Sequence, residues 1–161
     1  MLATLREGCR SLIFELAVMS QAISSIERHL TSKDKQVRLK ALKLLLRHPD
    51  ATPIQLVRCL CSVDNRNFEF LEIFELGSAM RESWSRLRGV TDDEVYEYLS
   101  SLYASDPTRN INHVVHVLEV LCTRRALAML EEFRTSAPAW SRFSVERVAS
   151  YISQQLVSND S

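Results

Sequence analysis

Apolar residues recur at steps of three and four along nearly the whole chain, the spacing of amphipathic helices, and no strict alternation runs longer than a few positions. Leu12, Ile13, Leu16, Met19, Ile23, Ile26 and Leu30 predict one long helix from Cys9 to Leu30. Asp34 caps the next, whose inner stripe is Val37, Ala41, Leu44 and Leu45. His48-Pro49-Asp50 ends it, because proline cannot continue the hydrogen-bond ladder. Thr52, Pro53 and Gln55 form a predicted capping box with proline at the first helical position, and Ile54, Val57, Leu60 and Cys61 follow. After a break at Asp64-Asn65, Phe70, Ile73, Phe74, Gly77, Met80 and Leu87 predict one or two helices closed by Gly89.

The second half continues the pattern. Thr91 with Glu94 is a second predicted capping box, opening a helix through Val95, Tyr98, Leu99 and Leu102. Asp106-Pro107 restarts the chain for Ile111, Val114, Val115, Leu118 and Leu121. A tight break at Thr123 precedes Ala126, Leu127, Leu130 and Phe133. Residues 136–143, with Pro138 and Trp140, read as an irregular stretch, and Ser144 is expected to cap a last helix through Val148, Ala149, Ile152 and Leu156. The expected organisation is one α-helical domain over residues 1–157 with a frayed tail at 158–161. About eight helices on short loops pair as antiparallel neighbours: 9–48, 53–88, 92–122 and 124–157. Units of this length suit a stack in which each pair hides its apolar face against the next. A non-repeating helical bundle is the alternative.

Composition agrees with an all-α class. Three glycines and four prolines in 161 residues leave few hairpin turns, and 46% hydrophobic with 25% charged residues is ordinary globular usage. Cys9, Cys59, Cys61 and Cys122 lack CxxC spacing and read as small buried hydrophobes in a reducing compartment. The apolar run at 13–19 holds Glu15 and is too short to span a bilayer. A cytoplasmic location is expected, with nuclear or mitochondrial as alternatives, since Arg6 and Arg10 lie on an amphipathic N-terminal stretch.

The segment Asp34-Lys35-Gln36-Val37-Arg38-Leu39-Lys40-Ala41-Leu42-Lys43-Leu44-Leu45 resembles the second-helix signature of HEAT repeats, in which an Asp, a Val-Arg pair, an Ala and following leucines recur. This likeness to the HEAT/armadillo helical-repeat family implies a short HEAT-like α-solenoid acting as a protein-binding scaffold. On the helix, Arg38 falls between Ala41 and Leu42 on the buried side, and Asp34, four residues back, is expected to accept its hydrogen bonds. A second stretch, Val117 to Pro138, is similar to a pentatricopeptide hairpin, a class that binds RNA.

Net charge is zero, yet its distribution is uneven: ten Lys and Arg against six Asp and Glu in residues 1–64, four against nine in 65–107, six against five in 108–161. All four lysines, Lys33, Lys35, Lys40 and Lys43, lie within eleven residues. Gln36, Lys40, Lys43 and Arg47 fall within about 60° of helix arc, a basic ridge led in by Lys33 and Lys35. A solvated helix face also carries such charge, but the ridge is the leading candidate for an acidic protein partner, or for phosphate oxygens. Glu69, Glu72, Glu75, Glu82, Asp92, Asp93, Glu94 and Glu97 offer a complementary acidic surface.

His113, His116, Glu119 and Cys122 share a three-residue spacing that drifts around the helix by about 60° per step, so four ligands cannot converge on a metal. No glycine-rich phosphate loop, HExxH, GxSxG or DxD motif is present, and no nucleophile, base and orienter can be assembled from spacing. The expectation is therefore a non-enzymatic scaffold for protein-protein interaction within a larger assembly. Lys33, Lys35, Lys40, Lys43 and Arg47 are its binding residues, and no cofactor, metal, membrane or small-molecule substrate is inferred. RNA or DNA binding through the ridge of residues 33–47 is the alternative.

Overall fold

Helices account for all regular secondary structure among the residues described by the computed structural model, 22–63 and 70–159. In chain order they are α1 (Ile23–His29), α2 (Lys35–Arg47), α3 (Pro53–Ser62), α4 (Phe70–Leu87), α5 (Asp93–Ser105), α6 (Pro107–Leu121), α7 (Arg124–Ser136), a 3-10 turn (Ala139–Ser141) and α8 (Arg142–Asn159). They fall into two compact units, described separately. The first holds α1, α2 and α4 as far as Met80, and the second holds α3 and everything from Arg81 onward. No helix among the described residues is long and apolar enough to cross a membrane.

In the first unit α1 packs against α2. The single long helix predicted from Cys9 to Leu30 does not run unbroken. Ala22 is extended (φ −60°, ψ 133°) and α1 starts at Ile23, while the expected part at 9–21 lies outside the described residues. Apolar spacing correctly marks Ile26 as buried but carries no information on ladder continuity. At α2 the Asp34 carboxylate accepts the amides of Gln36 (2.8 Å) and Val37 (3.4 Å), satisfying donors that a helix start leaves orphaned. The expected Asp34–Arg38 pair is replaced. Arg38 Nη1 donates to the carbonyls of Ser32 (2.6 Å) and Lys33 (2.9 Å), because the carboxylate is already spent on the cap. Leu39, Ala41, Leu42, Leu44, Leu45 and Leu46 are buried, a wider stripe than predicted. His48, extended before Pro49 as sterics require, ends α2 and takes the Asp50 amide on Nδ1 at 3.2 Å.

The second unit is organised around α6, which packs against α3, α5, α7 and α8. Its buried residues, Ile111, Val114, Val115, Val117, Leu118, Val120 and Leu121, cover about 220° of its circumference at 100° per residue, and Asn112, His116 and Glu119 occupy the rest. Asp106 and Pro107 set its start: Asp106 Oδ1 accepts the Arg109 amide at 3.0 Å, and proline occupies a position whose N–H would have no partner. Its end is abrupt. Cys122 adopts the left-handed conformation (φ 51°, ψ 51°), and the next residue, Thr123, already caps α7 through Oγ1 on the Ala126 amide at 3.0 Å. Gly89 takes φ +81° after α4, as its predicted capping role demands, and its amide donates to the Leu121 carbonyl at 2.8 Å.

Two predicted caps move. Asp92, not Thr91, stands at the start of α5, and neither makes a side-chain cap there; the Thr91 carbonyl instead accepts from Arg125. Residues 136–143 are more regular than expected: α7 runs to Ser136, Ser141 closes the 3-10 turn by donating Oγ to the Pro138 carbonyl (2.8 Å), and α8 begins at Arg142 with Ser144 inside its first turn. The predicted frayed tail falls partly outside the described residues, and α8 itself continues to Asn159.

Candidate partner-binding surface

The buried stripe of α2 fills about 220° of its circumference, from Leu44 round to Leu39 at 100° per residue. What remains is the ridge. Lys40, Arg47 and Gln36 are exposed and Lys43 is half-buried, while Lys33 stands exposed in the turn ahead of the helix. Lys35, Arg38, Lys40, Lys43 and Arg47 give α2 five cations with no anion in its own sequence. Lys35 reaches α4. Its Nζ lies 3.0 Å from Glu72 Oε2 on α4, and Gln36 Nε2 donates to Oε1 of the same carboxylate at 2.5 Å. Glu72 thus fastens the first turn of α2, and Lys33, Lys40, Lys43 and Arg47 carry the ridge beyond it.

The acidic residues offered as a complementary surface are partly spent inside their own units. Asp93 pairs with Arg125, whose guanidinium also lies over the Tyr96 ring (4.5 Å), and Glu94 Oε1 lies 3.5 Å from Arg58. Asp92, Asp93, Glu94 and Glu97 are all exposed, and Glu69 lies outside the described residues.

Among the described residues no group of His, Cys, Asp and Glu is placed to hold a metal. The histidine helix face does other work. His116 meets Trp84 of α4 edge-on (centroids 5.4 Å apart, planes at 72°), and its Nδ1 lies 4.0 Å from Glu119 Oε2. Glu119 is gripped by Arg147 of α8, Nη1 to Oε1 at 3.2 Å and Nη2 to Oε2 at 3.4 Å. Burial lowers the His116 pKa, with His113 and Arg147 adding to the effect and Glu119 opposing it. The imidazole is thereby biased toward its neutral form. The Trp84 indole N–H is buried with no hydrogen-bond partner among the described residues, a deficit of about 1–3 kcal/mol. Sequence reasoning found His116 and Glu119 but missed Trp84 and Arg147. These lie on other helices, at distances along the chain that no motif spans.

Cys59 and Cys61 are not activated thiols. Cys59 is buried and its pKa is pushed far up by desolvation, and Cys61 is pushed up to about 12 by the same cause. Both stay protonated at neutral pH. Comparison of the chain with protein-family models, curated proteins and solved structures returned no match. A function must therefore be argued from the chain's own residues.

Proposed function

We propose that the protein is a non-enzymatic helical scaffold of the cytoplasm that docks an acidic face of a partner protein within a larger assembly, through Lys33, Lys40, Lys43 and Arg47. The supporting observation is the division of α2: six buried apolar residues occupy most of its circumference, and the exposed remainder is cationic. Such a stripe steers encounter and fixes register more than it adds affinity. Lys35 joins it only at its edge, being held by Glu72.

The test reverses Lys40, Lys43 and Arg47 to Glu and compares partner capture from native cells, with and without nuclease, across a salt series. Lost capture by a variant whose circular dichroism is unchanged supports the ridge. Undiminished capture ends it. Capture abolished by nuclease, with affinity for RNA or DNA falling steeply as salt rises, replaces the protein partner by nucleic acid.

We further propose that the helix pairs stack in a HEAT-like manner. Consecutive helices pack as pairs, α1 with α2 in the first unit, α5 with α6 and α7 with α8 in the second. The enclosure of α6 by four helices favours the alternative, a non-repeating bundle, within the second unit. Hydrogen exchange distinguishes them: opening pair by pair supports the stack, and a single cooperative opening supports the bundle.

A further inference from the structure

Beside the Trp84–His116 contact, in the second unit, lies a cavity of about 400 Å³. Its walls come from three helices: Trp84 and, just past its end, Arg88 from α4; His116, Glu119 and Val120 from α6; Tyr151 from α8. The volume is at the lower end of the range for small-molecule sites, about 300–1,000 Å³. Two aromatic rings and a valine supply flat apolar surface.

The charges are not balanced in the same way. Glu119 is held by two bonds from Arg147, which offsets its charge. Arg88 is exposed; its Nη2 donates to the neutral Gln155 Oε1 (3.2 Å), and the nearby Tyr151 side chain raises its pKa. A guanidinium has five N–H donors in a planar fork, so these contacts leave capacity for a carboxylate. The wall also keeps a buried, unsatisfied indole N–H, where phenylalanine would supply the same apolar surface without that deficit. Such an orphan calls for an explanation beyond packing.

We propose that this cavity binds a small planar aromatic anion, in class an aromatic carboxylate, with its ring against Trp84 and Tyr151 and its carboxylate on Arg88. A cation is opposed by Arg88, and a neutral aromatic leaves that guanidinium without a charged partner. This site goes beyond the docking role and stands or falls independently of it.

The chain has two tryptophans, and Trp140 is 56% exposed, so Trp140→Phe leaves Trp84 as a single fluorescent reporter in the cavity wall. The full chain carrying that substitution is titrated with 2-naphthoate and with its neutral analogue 2-naphthalenemethanol. Saturable quenching by naphthoate is expected, with at least ten-fold weaker response to the alcohol. Adding Arg88→Gln should weaken naphthoate about ten-fold and move the alcohol less than two-fold; unchanged circular dichroism verifies the fold. No saturable quenching by naphthoate in the folded protein overturns the site. Equal affinity for the two probes, or an Arg88→Gln variant that binds naphthoate as before, overturns the assignment to an anion.

Discussion

Thr123 joins three elements through one hydroxyl, and removing that hydroxyl at constant shape is the sharpest test of how the second unit holds together. Its Oγ1 accepts the Ala126 amide at 3.0 Å, capping α7, and lies 2.5 Å from the Tyr96 hydroxyl, which also donates to the Val90 carbonyl at 3.2 Å. The proton count closes one way: Thr123 O–H donates to Tyr96, Tyr96 O–H donates to Val90, and the remaining Thr123 lone pair takes the amide. Tyr96, Thr123 and Ala126 are buried, at 1%, 7% and 0% exposure, and the bond to Val90 is part-buried. Thr123→Val keeps the β-branched shape and the extended backbone but deletes the acceptor. An N-cap lost to a non-capping residue costs about 0.5–2 kcal/mol. A buried hydrogen bond to Tyr96 adds about 1 kcal/mol. The expected loss is therefore about 2–3 kcal/mol, read as a lower urea midpoint at unchanged slope. Thr123→Ser retains the hydroxyl and should stay within about 1 kcal/mol of the parent, serine being as good a cap. In a double-mutant cycle with Tyr96→Phe the two losses should fall short of additive by about 1 kcal/mol, the part they share. A valine variant losing less than about 0.5 kcal/mol, or no more than the serine variant, refutes the reasoning.

Acidification should weaken the fold through His116. Its folded pKa is lowered by burial, so between that value and the ordinary 6.5 the unfolded chain binds more protons. Stability is therefore full above about pH 6.5 and falls as pH drops toward the folded pKa; the urea midpoint of the parent should fall more between pH 7 and 5 than that of His116→Phe. Gly89→Ala should cost about 1–2 kcal/mol in thermal or urea unfolding, set by backbone strain at φ +81° alone, because no atom lies within 4 Å of the added methyl. Glu72→Gln should cost about 1 kcal/mol, less at high salt, by loosening the first turn of α2 from α4.

The helices were legible because their signals are local. Pro53 and Pro107 stand at helix starts, His48-Pro49 and Gly89 stand at ends, and apolar steps of three and four mark the buried faces of α2 and α6. Where the reading failed, two local signals competed. Asp34 sits within reach of both the orphan amides of α2 and the Arg38 guanidinium, and the amides win, being fixed beside it by the backbone. Arg38 then finds carbonyls in the preceding turn, which spacing on a helix wheel cannot show. Thr91 and Asp92 are adjacent cap formers, and the chain starts α5 from the later one. Ser144 lost its role to a turn closed by Ser141, three residues earlier.

The candidate sites differ in the same respect. The cations of the ridge were visible because α2 itself sets their arc; the pairing of Lys35 with Glu72 was not, since it needs α4 brought across 37 residues. The cavity is the extreme case. Trp84, His116 and Tyr151 are about thirty residues apart, and on its own helix each reads as ordinary packing. Only the packing of α6 against its neighbours brings them to one wall, and that packing follows from an apolar stripe covering about 220° of the helix. A stripe that wide can meet several neighbours at once. On the remaining arc, His116 and Glu119 are met by what the neighbouring helices present, here Trp84 and Arg147.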